Sequence, residues 1–192
     1  MKRKRVGVLI SGRGSNMAAL VDAAHDPAYP AEIVCVVSNR PDAAGLKFAQ
    51  GQNISTHVID YKSYTTRESF DAALNDYLQS QKLDLIACAG FMRIMTSVLL
   101  EPWAGKMINI HPSLLPLYKG THTHERALAD GVRVHGCSVH YVTEELDGGP
   151  VIARAEVPVL PGDTPEILSA RVLVEEHKLY PKALATAARK LV

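Results

Sequence analysis

The stretch Val6-Gly7-Val8-Leu9-Ile10-Ser11-Gly12-Arg13-Gly14-Ser15-Asn16 decides the fold. An apolar, β-branched run breaks at two glycines, and a helix-like segment follows over 16–24, the order in which a parallel α/β sheet begins. Free backbone N–H groups and the dipole of a helix that starts here favour a phosphate, and glycines let the backbone approach it closely. The other reading is a tight turn in which Ser15 or Asn16 caps the helix. A dinucleotide fingerprint would need a third glycine where Met17 stands, and an acid after the second strand where Ser38-Asn39-Arg40 stands, so NAD is not the expected ligand. Upstream, Lys2-Arg3-Lys4-Arg5 runs straight into the strand and reads as its solvated lead-in.

Outward from this stretch, strand-like runs recur at 5–11, 31–38, 54–60 and 83–89. Helix-like segments separate them. One opens at Pro41-Asp42, and another over 66–81 carries Phe70, Ala73, Leu74, Tyr77 and Leu78 on one face. Past residue 90 come a short helix at 96–103, a strand at 106–111, and a loop holding Pro112, Pro116 and Gly120. A helix at 124–130, strands at 134–142 and 151–157 and a last helix from Pro165 complete the chain. The expected class is α/β: a mostly parallel twisted sheet of about seven strands, helices on both faces, with a Rossmann-like N-terminal half. No linker or repeat divides the chain, so one domain is expected over 1–192, with a phosphate-binding half at 1–100 and a catalytic half at 101–192.

The 192 residues are 47% apolar, enough for a real core. Lys plus Arg number 21 against 20 Asp plus Glu, so the net charge of +1 offers no global field for nucleic acid. The first apolar run is too short for a signal peptide, and none approaches the roughly 18 apolar residues of a membrane span. Cys35, Cys88 and Cys137 lie far apart without a C-x-x-C pair, which fits a reducing cytoplasm and buried, inert thiols. His122-x-His124 has the look of half a metal site, but no Cys or acid nearby completes it, and no metal is expected.

Chemistry concentrates in the second half. Asn109-Ile110-His111 ends an apolar strand, and alternation puts Asn109 and His111 on one face, at the carboxyl end where α/β proteins bind ligands. Such a histidine is either structural or half of a site. The segment Thr143-Glu144-Glu145-Leu146-Asp147-Gly148-Gly149-Pro150 offers a partner: an Asp on a stiff turn, which beside His111 would favour the imidazolium, and which alone would cap the turn. Ser138 and His140 alternate on their own strand and either join the crevice or serve the fold.

Taken together, Ile10-Ser11-Gly12-Arg13-Gly14-Ser15-Asn16, Ala89-Gly90-Phe91-Met92-Arg93-Ile94, Asn109-Ile110-His111-Pro112-Ser113-Leu114-Leu115-Pro116, His135-Gly136-Cys137-Ser138-Val139-His140 and Leu146-Asp147-Gly148-Gly149-Pro150-Val151-Ile152 resemble the phosphoribosylglycinamide formyltransferase family, folate-dependent enzymes of purine synthesis. The resemblance runs nearly end to end. It implies transfer of a formyl group from 10-formyltetrahydrofolate to the amine of glycinamide ribonucleotide, by a cytoplasmic monomer or homodimer. Asn109, His111 and Asp147 take the family's catalytic positions. Gly14, Ser15 and Asn16 match its phosphate cradle, and Glu176 its ribose-holding residue. Arg67, Met92, Arg93, Ile94, Met95, Asn109 and the loop Thr143, Glu144, Glu145, Leu146, Asp147 match its folate side.

Two departures are plain. Leu173 stands where some members carry a basic residue near the phosphate, and the family pattern leads one to expect a further strand and tail beyond Val192, as if the chain were a shortened form. Three rival readings remain, with formyltetrahydrofolate hydrolase the main alternative. A formyltetrahydrofolate hydrolase would use the same Asn-His-Asp group on water, but its relatives carry a regulatory domain for which there is no room. A methionyl-tRNA formyltransferase needs an RNA-binding module and a basic surface. A non-catalytic nucleotide-binding module leaves the Asn-His-Asp cluster unexplained.

Overall fold

In the computed structural model, which describes residues 2–191, β1 (Lys4–Ile10), β2 (Ala31–Ser38), β3 (Ser55–Val58), β4 (Leu85–Cys88), β5 (Met107–His111), β6 (Val134–Tyr141) and β7 (Val151–Pro158) share one sheet. Their spatial order is β3-β2-β1-β4-β5-β6-β7. The first five run parallel, while β6 pairs antiparallel with both β5 and β7. The chain builds outward from β1 to β3, then crosses to β4, so the direction of winding reverses between β1 and β4. In such sheets the crevice above the carboxyl ends at that point is where ligands bind. The strand beyond Val192 that the family pattern implied lies outside the described residues.

Helices α1 (Ser15–Ala24), α2 (Ala44–Gly51), α3 (Arg67–Ser80), α4 (Ser97–Leu100), α5 (Thr123–Ala129) and α6 (Pro165–Lys190) cover the sheet. One core gathers Val6, Val8 and Ile10 of β1 with Met17, Leu20 and, from α6, Leu168, Val172 and Tyr180. The other gathers Leu9, Val37, Ile86 and Cys88 with Phe70, Leu74, Leu78 and Trp103. Alternate residues of β1 feed opposite faces, as the pleat requires. Thr66 starts α3 with a reciprocal cap to Ser69, and Thr164 with Pro165 starts α6. Inside α6 the buried Tyr180 donates its hydroxyl to the Cys88 carbonyl at 2.8 Å, tying the last helix to the end of β4.

Element boundaries depart from expectation in three places. Residues 40–43 form a turn, with Arg40 clamping Asp42, so α2 starts at Ala44 rather than at Pro41-Asp42. The helix expected over 96–103 ends at Leu100 and continues as turns to Lys106. A 3-10 turn at Tyr61–Ser63, capped by Asp60, had no signal in the apolar pattern.

Gly14 is the N-cap of α1, in the left-handed region at φ 73, and no side chain caps that helix. The turn capped by Ser15 or Asn16 is therefore not formed, and the first N–H groups of α1 carry no side-chain partner. A Cβ at Gly14 would lie 2.8 Å from Met17 Cε and 3.0 Å from the Gly45 Cα, whereas at Gly12 it would meet nothing. Left-handed backbone costs a residue with a Cβ about 1–2 kcal/mol. Gly14→Ala should therefore lower Tm by about 3–8 °C while Gly12→Ala changes it little, read by thermal unfolding of both. Equal Tm values would show that the loop relaxes without cost.

Candidate active site

Three loops meet above the carboxyl ends of β1, β4 and β5. Ser11 joins the first two: its N–H donates to the Gly90 carbonyl at 3.2 Å, its hydroxyl donates to Asn39 Oδ1 at 2.6 Å, and the same oxygen accepts the Met92 N–H at 2.8 Å. Asp71, buried on the apolar face of α3, accepts both the N–H and the hydroxyl of Thr96 and fixes the far end of the 90–96 loop. The third loop, after β5, is held from beneath. Ser138 donates to the Ser113 carbonyl and accepts the Leu115 N–H, while Arg154 donates twice to the Leu115 carbonyl.

Between these loops Asn109, His111 and Asp147 converge. The antiparallel register pairs Asn109 with His140 and His111 with Ser138, so four polar side chains arise at the β5–β6 rim. The Asp147 side chain is 9% exposed, with Oδ2 3.4 Å from His111 Nδ1 and Oδ1 3.6 Å from His140 Nε2. Oδ2 also accepts the Gly120 N–H at 2.8 Å. Gly149 holds this turn, because a Cβ there would land on the Tyr141 carbonyl. Asp147 itself sits at φ 50, a region that Asp and Asn tolerate better than other side chains.

Carbonyl partners fix the ring tautomers. The Tyr118 carbonyl lies 2.9 Å from His111 Nε2 and can only accept, so Nε2 carries the proton and Nδ1 is the nitrogen that titrates, facing Asp147. By the same logic His140 Nδ1 donates to the Tyr141 carbonyl at 2.9 Å, and its Nε2 lies between the Asn109 amide at 3.3 Å and Asp147 Oδ1 at 3.6 Å. Burial holds His111 below the ordinary histidine value, against the Tyr118 carbonyl and the Asp147 carboxylate, which push it up. The sequence expectation of a resting imidazolium is thus corrected. Asp147 acts in the expected direction, but desolvation outweighs it. For Asp147, burial works upward, yet His140, the Gly120 amide and His111 together hold the carboxyl below its usual range.

Two cavities share this cluster. A crevice of about 610 Å³ is lined by Asn109, His111 and Asp147 and extends to Asn16 and Glu176. Asn16 donates to Glu176 Oε2 at 2.7 Å across α1 and α6, and burial raises the Glu176 carboxyl against that bond. Gly14 and Ser15 border the crevice through the start of α1 rather than lining it. The second cavity brings Asn109 and Asp147 together with Arg93, Ile94, Met95, Thr143, Glu144, Glu145 and Leu146, over the apolar floor of Cys88, Phe91, Leu100 and Val142. Met92, Ile94 and Leu146 stand exposed at the rim, and Met92 lines the larger crevice. Arg67 is not brought in: it occupies the exposed first turn of α3 and lines neither cavity.

Several residues escaped the sequence reading. Tyr118 acts through its carbonyl, which leaves no trace in side-chain patterns. Asp71 left one, an acid within the stripe of Phe70, Leu74 and Leu78. His124 lines the crevice and lies 3.2 Å from the buried His135 rather than forming half a metal site; no cluster of three or more His, Cys, Asp or Glu that could hold a metal occurs among the described residues. Cys88 and Cys137 are buried free thiols pushed up to about 12 by desolvation.

An Asn-His-Asp cluster, with His111 buried and Asn109 and Asp147 half-buried, stands at the switch point of this α/β sheet, where two cavities meet at Asn109 and Asp147. The comparisons with known proteins agree in kind. The profile described as formyl transferase matches residues 4–184, and the chain belongs to that family. It is 44% identical over 178 residues to phosphoribosylglycinamide formyltransferase of Escherichia coli (strain K12), covering 93% of this chain and 84% of the relative. Identity is 48% to the trifunctional purine biosynthetic protein adenosine-3 of Bos taurus, over 97% of this chain; the chain spans 18% of that relative's length. The crystal structure of phosphoribosylglycinamide formyltransferase from Brucella melitensis superposes with a TM-score of 0.94 at 49% identity, covering 100% of this chain and 98% of that one.

His135 supplies a test of this electrostatic arrangement. Burial first, then His124 and His111, lower it to about 4, against a hydrogen bond to the Pro112 carbonyl. A histidine near 6.5 when unfolded binds a proton that the folded form refuses between those two values, so stability is lost as pH falls from about 6.5 to about 4. His135→Gln should remove up to about 1.4 kcal/mol per pH unit from that slope, measured by urea unfolding across the window. An unchanged slope would mean that His135 titrates normally in the folded protein.

Proposed function

We propose that this protein transfers the formyl group of 10-formyltetrahydrofolate to the amine of N1-(5-phospho-D-ribosyl)glycinamide, in purine synthesis. The observation that carries the reading is the pair of cavities meeting at Asn109 and Asp147, one ending at Asn16 and Glu176, the other lined by the 93–95 and 143–147 segments. The first suits a phosphorylated ribose: the uncapped start of α1 offers N–H groups to a phosphate, and Glu176 offers a carboxylate to hydroxyls. The second, apolar below and backbone-rich at its rim, suits a flat heterocycle whose formyl-bearing nitrogen points at the shared centre. The names of the E. coli and Brucella relatives support the same assignment. Three buried free cysteines fit a reducing cytoplasm as its setting. No described helix is long and apolar enough to cross a membrane.

The task of the residues is to stabilise the oxyanion formed when the amine attacks the formyl carbon, and to move one proton. Asn109 has one amide N–H committed to His140, and its second is free to donate to the oxyanion. His111, neutral at rest with Nε2–H held by Tyr118, takes the amine proton at Nδ1, where the Asp147 carboxylate stabilises the resulting imidazolium. Nδ1–H then donates to the oxyanion and delivers the proton to the departing folate nitrogen as the carbon–nitrogen bond breaks. Asp147 also orients the ring. Positioning and charge are the protein's whole contribution, since the formyl group arrives on its carrier.

Mixing the protein with both substrates should give the formylated ribonucleotide, with intersecting initial-rate lines, because among the described residues the three thiols are buried and held protonated and so do not take up the formyl group. Deformylation that persists without the acceptor would instead make the protein a hydrolase. Asp147→Asn preserves the left-handed backbone and removes the one charge that opposes burial at His111, so the His111 pKa should drop further. Turnover at pH 7 should fall about 10²-fold or more with both Michaelis constants nearly unchanged, and the acid limb of the pH–rate profile should move to lower pH. An NMR titration of His111 that is identical in both forms would overturn the electrostatic role.

A further inference from the structure

His124 lines the larger crevice beside Asn109, His111 and Asp147, and the reaction derived above gives it no work. Its neighbour decides its chemistry. Nδ1 of His124 lies 3.2 Å from Nε2 of His135, a ring that is 1% exposed and does not reach the crevice. With Nε2 facing His124, the His135 nitrogen left for the Pro112 carbonyl is Nδ1, and because a carbonyl only accepts, that nitrogen carries the proton. Burial keeps both rings below the ordinary histidine value, at His124 against the pull of Glu125, and a neutral imidazole carries one proton. His135 Nε2 is therefore bare and accepts the Nδ1–H of His124, which leaves His124 with its lone pair at Nε2. That atom has no hydrogen-bond partner among the described residues, and with Nδ1 turned inward it is the polar atom that the ring presents to the crevice. His111 stands near enough for a charge on it to weaken the hold of His124 on a proton.

A primary amine must aim its lone pair at the formyl carbon, and the directions of its two N–H groups fix where that lone pair points. His111 Nδ1 accepts one N–H and then its proton. A single acceptor leaves the nitrogen free to turn about that bond. We propose that His124 Nε2 accepts the second N–H, which makes His124 a substrate-positioning residue that points the nucleophile at the formyl carbon. The inference rests on the transferase reading of the crevice. His124 gains no proton in the step: the amine proton passes to His111 and on to the departing folate nitrogen. As the new carbon–nitrogen bond forms, positive charge grows on the attacking nitrogen and its N–H groups become stronger donors, so the bond to Nε2 tightens toward the transition state. Two fixed acceptors also favour an amine over a hydroxyl, which has one hydrogen to offer.

One arm of the test does not depend on turnover. Nitrogen–proton NMR spectra of the imidazoles, with His124 assigned by its loss in His124→Gln, should show the Nδ1–H tautomer, the minor form of free histidine. Adding glycinamide ribonucleotide should move Nε2 toward the shift of a hydrogen-bond acceptor, and the acetamide analogue, with hydrogen in place of the amine, should leave it where it was. An Nε2–H tautomer, or the same movement with the acetamide analogue, would overturn the inference. In the kinetic arm His124→Leu should lower kcat about 10–100-fold, with the KM for 10-formyltetrahydrofolate and the titration of His111 unchanged. His124→Gln, which returns an acceptor oxygen near the place of Nε2, should recover most of that loss. Equal losses in the two variants, or full turnover in the leucine variant beside an active wild type, would overturn the positioning role and leave the transferase reading intact. A wild type that forms no formylated ribonucleotide would overturn that reading and the inference with it.

Discussion

A carboxylate withdrawn from water must be compensated, and at Asp147 the rest of the site is arranged around that requirement. Its oxygens meet one backbone N–H and two imidazoles, and it occupies a backbone region that strains most side chains. Each partner needs its own support. Gly120 is delivered by the loop that Ser138 and Arg154 fasten to the sheet; His140 is delivered by the β5–β6 register; His111 is turned by Tyr118. Two unit charges about 4 Å apart attract by about 4 kcal/mol at an effective dielectric near 20, enough to matter against desolvation and too little to ignore it. The lowered pKa of His111 and the lowered pKa of Asp147 are two outcomes of that one contest.

Topology explains why the contest takes place here. Reversal of winding between β1 and β4 opens the sheet's carboxyl edge, and Ser11 stitches the β1 and β4 loops across the gap with two bonds, while a third ties it to Asn39 at the end of β2. The 90–93 segment, held at Gly90 and Met92, thereby lines both cavities. Glu176 closes the crevice from α6, a helix that Tyr180 locks to the end of β4. Binding surfaces are thus drawn from widely separated parts of the chain, while the chemical groups come from one antiparallel strand pair and one adjoining turn.

Regular structure was legible in the sequence to within a few residues, because buried parallel strands such as Val6–Ile10 read as continuous apolar runs and α3 carries its apolar stripe openly. Failures have physical causes. The start of α2 was misplaced because Pro41-Asp42 is equally good turn chemistry, and Arg40 stabilises the turn from outside the motif. Asn109, His111 and Asp147 were legible as residue types at a strand end and a stiff turn, and their proximity is a fact of the β5–β6 geometry. The protonation state of His111 was not legible. Sequence shows the neighbouring charge but not the loss of water, and here the loss of water is the larger effect.

That neutral resting state fits the proton movement better than a permanent imidazolium would. A ring already charged at Nδ1 has no lone pair to accept the amine proton, and its charge would repel the protonated amine of the tetrahedral intermediate. A ring with an ordinary pKa, exposed to water, would exchange its proton with solvent rather than return it to the departing nitrogen. Burial makes the imidazolium costly and Asp147 makes it attainable, so the charged ring is favoured most while a neighbouring oxyanion adds its own attraction. The two oppositely acting influences place the affinity of Nδ1 for a proton under control of the reacting group. In that arrangement the carboxylate contributes most when charge develops on the substrate, which is the condition for lowering a barrier rather than only tightening binding.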